Sequence, residues 1–415
     1  MKAEAMLLLF YFLHVLSSPS MQFSQIIGQQ HTIEQLKEMV DNNRLSHALL
    51  MIAKEGAGGL PLALAFSNYV VSQSEKQKPA AAPVIGLFGE EVTPATTSSH
   101  GAELAAQYIH PDIHYSYPVI KKTTRSDEKP ISTDWVKEWR EFIKQYPYGN
   151  VYDWLQFIGA ENKQGNITAA ECADIIRKLN LKSFESEYKI LVLWMPEYLG
   201  NEGNKLLKLI EEPPPNTLFI LVAENESLLL PTIVSRCQTI RIPPIEINEV
   251  AQALQQRTKL NPEQANQIAG VSEGNYREAL QLIQHAEEDW QSLLREWLNS
   301  ILKTGPIAQV KWVDSISALG REKQKQFLRY FTHLLEQSIR LHTMGEDNLP
   351  LTDAEKDFAQ RLNKLCNISR MQAITQELDS AAYYIERNAN AKLLFMALTI
   401  KLYHIVANGA VIEVR

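Results

Sequence analysis

The apolar positions of this chain follow one rhythm up to residue 244 and a different one beyond it. Residues 48–52 (Ala-Leu-Leu-Met-Ile), 188–193 (Tyr-Lys-Ile-Leu-Val-Leu) and 217–222 (Thr-Leu-Phe-Ile-Leu-Val) are short, almost unbroken apolar runs. Runs of that length predict strands buried on both faces, as in a parallel sheet covered by helices. Alternation over 112–119 and the run 239–242 predict two more strands, and Pro243-Pro244 closes the series. Between strands the spacing turns helical: Ile33, Leu36, Met39 and Val40 within 32–43, a pattern over 62–71, and the stripe Ala170, Ala173, Ile176 and Leu179 within 167–179. Beyond Pro244 the strand signal ends. Residues 245–290 read as short helices punctuated by Asn261-Pro262 and Gly274-Asn275, and residues 300–410 as longer ones. Phe327, Phe331, Leu334, Leu335 and Ile339 form one apolar stripe, and Leu393, Leu394, Ala397, Leu398 and Leu402 another. Such stripes are read as core, and their width also suits packing between subunits. The expected class is α/β, a parallel sheet with helices on both faces, followed by all-helical segments.

The first strand runs directly into Ala53-Lys54-Glu55-Gly56-Ala57-Gly58-Gly59-Leu60, and a helix follows. Strand, glycine turn and helix are the context of a phosphate-binding loop. A working loop brings a lysine to the β/γ phosphates and a Ser or Thr hydroxyl to Mg²⁺. Gly59 cannot supply the cation and Leu60 cannot supply the hydroxyl. Lys54 lies on the other side of the turn, and Pro61 removes a backbone donor in the first helical turn, where proline is tolerated. After Leu193 comes Trp194-Met195-Pro196-Glu197, where an acidic pair should end a buried strand. No bound cofactor is therefore expected at Gly56, Gly58, Gly59 and Leu60. The alternatives are a loop without a ligand and an active ATPase in which Lys54 takes the lysine's part.

Ser235-Arg236-Cys237 follows a buried strand, a loop and a short helix opened by Leu230-Pro231-Thr232. An arginine at a subunit edge can reach a neighbour's γ-phosphate and stabilise the charge of phosphoryl transfer. The plain alternative is an arginine bonding the last carbonyls of its own helix. His110, Asp112 and His114 would share one strand face if the alternation held, a geometry able to bind metal; the start of a strand is the preferred reading. Glu211 and Glu212 are adjacent and point apart on a helix, so they are read as charges on its exposed end. Trp135 and Trp139, four residues apart, are read as packing.

The 415 residues leave room for two or three domains. A net charge of -7 and a pI near 5.9 mark no strongly basic domain, so DNA contact would be local or shared with partners. Cys172, Cys237 and Cys366 form no CxxC pair, which excludes a four-cysteine zinc site and argues for a reducing cytoplasm. Residues 6–16 (MLLLFYFLHVL) are too short to span a bilayer and read like the apolar part of a signal peptide. With one lysine offset by Glu4, residues 1–20 are read as an upstream extension, with export as the alternative, and a domain opens at Met21. Residues 75–100 read as a surface insertion and 121–129 as a charged loop.

Asn204-Lys205-Leu206-Leu207-Lys208-Leu209-Ile210-Glu211-Glu212-Pro213-Pro214 closely resembles a segment of bacterial AAA+ clamp loaders, and Ser235-Arg236-Cys237 follows at the matching distance. Ile27-Gly28-Gln29, Ser46-His47-Ala48-Leu49-Leu50, His110-Pro111-Asp112, Gly274-Asn275-Tyr276-Arg277-Glu278-Ala279 and Asn388-Ala389-Asn390 extend the likeness from about Met21 to the C-terminus. The chain is similar to the delta-prime branch of the DNA polymerase III clamp-loader family. The resemblance implies a P-loop AAA+ domain (21–243), a helical lid (244–295) and a helical collar that oligomerises (296–415). It implies Arg236, with Ser235 and Cys237, as a finger acting in trans on a neighbouring gamma/tau ATPase subunit. Its partners would be gamma/tau and delta, with the sliding clamp and primed DNA met through the assembled complex and no membrane. The chain would have no catalysis of its own, while belonging to the DNA polymerase III holoenzyme; an active gamma/tau-like ATPase is the alternative. Many relatives carry a four-cysteine zinc module where residues 75–100 lie. No cysteine stands there, so no metal is carried over. Arg277 matches a second sensor position and, beside an altered loop, is read as structural.

Overall fold

Five parallel strands, β1 (Ala48–Ala53), β2 (Ile113–Ser116), β3 (Lys189–Trp194), β4 (Thr217–Ala223) and β5 (Gln238–Ile242), pair in the order β5-β1-β4-β3-β2. The structure, a computed structural model, describes residues 21–76, 84–85, 91–92, 100–122, 129–160, 163–258, 260–284, 290–344, 353–387 and 389–408. The 1–20 extension, most of the 75–100 insertion, part of the 121–129 loop and Asn388 lie outside the described residues. Within the insertion, Val84–Ile85 pairs antiparallel with Glu91–Val92.

Both faces of the sheet are covered, which is why its central strands read as continuous apolar runs. Leu49, Met51, Ile190, Val192, Ile220 and Val222 face one core, and Leu50, Leu191, Leu193, Phe219 and Leu221 face the other. Each such side chain contributes about 1.5–3 kcal/mol on burial. The architecture is α/β, a parallel sheet covered by helices on both faces, with a helical C-terminal region.

Two helical stripes differ from the sequence expectation. In helix Ala169–Leu179 the buried residues are Glu171, Cys172, Asp174, Ile175 and Leu179, while Ala173 faces solvent. The face turns because the Glu171 carboxylate accepts the Ser132 N–H at 2.6 Å, so an acidic residue lies inside. In helix Ala391–Asn408, Leu398 and Leu402 are buried but Leu393 is 72% exposed and Ala397 also faces water.

The chain divides into two compact units at Ile283/Gln284. The first holds the sheet domain and helices Ile247–Arg257, Pro262–Ser272 and Tyr276–Gln284, whose core joins Val250, Leu254, Ala265 and Ala269 to Ile27 and Tyr148. The second is all helical, from Trp290–Asn299 to Ala391–Asn408, around Trp297, Phe327, Phe331 and Phe395. Trp297 stacks on Trp312 at 4.5 Å and donates its indole N–H to Thr399 Oγ1 at 2.9 Å. No described helix is long and apolar enough to cross a membrane.

His110 and Asp112 lie before β2 rather than on one face of it. The Asp112 carboxylate accepts the N–H groups of Phe184, Glu185 and Ser186 at 2.6, 2.7 and 2.7 Å, clasping the loop that leads into β3. His110 Nδ1 accepts the Asp112 N–H at 3.1 Å. These residues therefore tie chain to chain, and among the described residues no group of three or more His, Cys, Asp or Glu could hold a metal. Trp135 ends the 3₁₀ helix Ser132–Trp135, and Trp139 lies in the following helix; both are buried.

On β2 itself, burial, aided by nearby Lys178, pushes the His114 imidazole down from 6.5 to about 4. The unfolded chain then takes up a proton that the folded chain refuses, so this contribution is complete above pH 6.5 and is lost as pH falls through about 4. The urea midpoint is expected to drop between those two pH values, and His114→Leu should flatten the drop. Parallel pH profiles of the two proteins would defeat this account.

Candidate functional site

The glycine loop joins the end of β1 to helix Gly59–Lys76 at the C-terminal edge of the sheet, where open α/β sheets bind ligands. Gly56 (φ 70°) and Gly58 (φ 93°) take left-handed conformations that other residues adopt only with strain. Space is equally restrictive, since a Cβ on Gly56 would lie 1.8 Å from Asn275 Oδ1.

Side chains of the chain itself border the hollow above the loop. The remaining cavity measures about 20 Å³, bordered by Gly58, Leu60, Tyr148, Trp194, Met195 and Glu224. That volume holds about one water molecule. Leu60 is buried in the core, and Lys54 is exposed at the rim. Tyr148 stands over Gly58, with its Oη accepting the Ile27 N–H at 2.9 Å and its ring edge-on to Tyr276 at 5.0 Å.

The end of β3 is equally committed to packing. Trp194 is buried against Trp139 at 5.2 Å and Phe142 at 6.1 Å. Met195 is left-handed (φ 59°), and its N–H bonds Val222 O at 2.8 Å. Glu197 Oε1 accepts the N–H groups of Glu224 and Asn225 at 2.6 and 2.8 Å, lacing the end of β3 to the end of β4. Burial raises the pKa of this carboxyl.

Arg277 closes the hollow from the side of the small helices. Its side chain is 4% exposed; Nε and Nη2 donate to Asp153 at 2.5 and 2.7 Å, and Nη1 donates to Glu55 at 2.9 Å. Asn150 Nδ2 reaches the other Glu55 oxygen at 3.2 Å. The neighbouring Tyr276 N–H bonds Gly56 O at 3.2 Å, and Arg257 donates to Gln25 O at 2.7 Å. Gln29 Nε2 ties Ala57 O and Pro243 O at 3.3 and 2.7 Å. Loop and small helices are thus latched by charge and backbone bonds together.

Arg236 sits apart from this hollow, just after helix Pro231–Val234. Its side chain is 34% exposed; Nη1 donates to Thr232 O at 2.7 Å, and Nε donates to Glu211 Oε1 at 2.5 Å. The Thr232 contact is the arginine-to-own-helix bond that the sequence left as the plain alternative. Ser235 is exposed and its Oγ lies 3.3 Å from Arg236 Nη1; burial pushes the Cys237 thiol up to about 11. Glu211 lies at the exposed end of its helix, as the sequence suggested, and it also grips Arg236. Sequence reasoning also missed Tyr148, which lies in a Pro-Tyr-Gly turn without periodicity, and the two partners of Arg277.

This arrangement is a parallel α/β sheet module with a laced C-terminal edge. A sequence model of the family described as "DNA polymerase III, delta subunit" matches residues 28–246. The chain belongs to that family and is a delta-prime-like clamp-loader subunit. It is 27% identical to the Escherichia coli (strain K12) DNA polymerase III subunit delta' over 214 residues, 51% of this chain and 62% of that protein. Against the Bacillus subtilis (strain 168) delta' subunit it is 28% identical over 123 residues, 29% of this chain and 37% of the relative. The B. subtilis tau subunit is 25% identical over 197 residues, 46% of this chain and 34% of that protein. The chain thus spans less than two thirds of the length of each of these relatives.

Replacing Arg277 by Ala would leave the Glu55 and Asp153 carboxylates facing each other without their cation. Removing one partner of a buried pair costs roughly 3–5 kcal/mol. The urea midpoint of Arg277→Ala should fall accordingly, and protease cleavage within 244–283 should speed up. An unchanged midpoint and digestion pattern would mean the latch contributes nothing.

Proposed function

We propose that this protein is a clamp-loader subunit that keeps no nucleotide of its own and supplies Arg236 to ATP held by a neighbouring gamma/tau subunit. One observation carries the reading: the chain's own hollow has room for about one water, while Arg236 stands at the surface just after a short helix. A guanidinium delivered across a subunit boundary neutralises charge that develops on the transferring phosphoryl group. Residues 21–243 act as the AAA+ module, 244–295 as its lid and 296–415 as the collar. Leu393, Ile400 and Tyr403, exposed along helix Ala391–Asn408, support a collar that meets other subunits. Delta is the second partner, and the clamp and primed DNA are met through the assembled complex in the cytoplasm.

The rival reading, an ATPase relying on Lys54, makes a different forecast. Calorimetric titration of the isolated chain with Mg-ATP is expected to show no binding; micromolar affinity with hydrolysis would favour the rival. In a reconstituted complex, Arg236→Ala should lower DNA-stimulated ATP hydrolysis at least several-fold, diluted from the ~10³–10⁵ of a single finger site. Unchanged turnover would leave the chain a scaffold.

A further inference from the structure

Glu211 ends helix Leu207–Glu211, immediately before Glu212-Pro213-Pro214, and lies 25 residues from Arg236 in sequence. Its Oε1 accepts the Nε–H at 2.5 Å and forms an ion pair with Nη2 of the guanidinium. On the opposite edge, Nη1 is held by Thr232 O and by Ser235 Oγ, at 2.7 and 3.3 Å. The plane of the guanidinium is therefore fixed from both sides.

An arginine has five N–H donors. Hydrogen bonds engage three here, one on Nε and two on Nη1, and the two left over are both on Nη2, beside the Glu211 carboxylate. Stability is not what this contact offers. Both side chains are well exposed, at 34% and 44%, and such surface pairs contribute about 0–1 kcal/mol. Orientation is what remains. A side chain with Arg236's rotamer freedom would otherwise have to be ordered each time a neighbour docks.

We propose that Glu211 is a positioning residue for Arg236: it holds the guanidinium in one orientation at the surface, so that the remaining Nη2 donors meet a neighbour's triphosphate without reorganisation. This rests on the trans reading of Arg236 given above. The gain is one of preorganisation, and a misplacement of about 1 Å can cost on the order of 10²-fold in rate.

The test uses the reconstituted complex carrying Arg236→Ala, Glu211→Ala, Glu211→Gln or the Glu211→Ala/Arg236→Ala pair, with steady-state ATP hydrolysis in the presence of primed DNA. Glu211→Ala should lower kcat about 10-fold or less with KM little changed, within the range for misplacement. Glu211→Gln keeps an oxygen acceptor without the charge and should restore most of the loss. The double variant should be no slower than Arg236→Ala alone, because Glu211 acts only through the arginine. If Arg236→Ala is slow but Glu211→Ala matches the parent or exceeds it, positioning is overturned while the finger stands. A Glu211→Ala defect that persists at full size without Arg236 overturns it too. Should Arg236→Ala itself be without effect, both readings fall together.

Discussion

Arg277 carries a charge taken almost entirely out of water, and the first unit is arranged around the two carboxylates that meet it. Glu55 belongs to the glycine loop, Asp153 to helix Val151–Phe157 and Arg277 to the last small helix, so one cation binds three separate stretches of chain. A buried charge tolerates this only with excellent geometry and satisfied donors, which its contacts to both carboxylates supply. The neighbouring bonds, from Tyr276 N–H to Gly56 O and from Ile27 N–H to Tyr148 Oη, reinforce the same seam.

That seam and the lacing between β3 and β4 both lie at the C-terminal edge of the sheet. In α/β sheets this edge is ordinarily kept open for ligands. Here Trp194 has joined an aromatic cluster with Trp139, Trp154 and Phe142, and Glu197 spends its carboxylate on backbone donors. Arg236 is the counterpoint: its anchors restrain it at the surface without burying it.

The strands were legible because their environment is symmetric. β1, β3 and β4 are covered on both faces, so all their residues but the first of β3 (Lys189) and of β4 (Thr217) are apolar, and the runs in the sequence mark them within a residue or so. The glycine turn and the helix after it were legible for the same local reason. What sequence could not show was pairing at a distance. Glu55 and Arg277 are 222 residues apart, and Tyr148 reaches Ile27 across 121. The buried face of helix Ala169–Leu179 was misread because Glu171, an acid, lies inside with a backbone donor to satisfy it. Helix Ala391–Asn408 was misread in the opposite sense: it is apolar on more sides than its own unit buries, so periodicity alone could not choose which residues face water.

The tight packing beside Gly59 makes the state of this loop hard to reverse. A Cβ there would lie 2.7 Å from the Ala53 Cβ and 3.2 Å from Val222 Cγ1, so even Gly59→Lys meets the end of the sheet before its ammonium group reaches open space. Leu60→Thr would set a hydroxyl into apolar surroundings beside an indole. A side chain at position 59 would press on both β1 and β4, and the glycine there is what lets the loop lie against the end of the sheet.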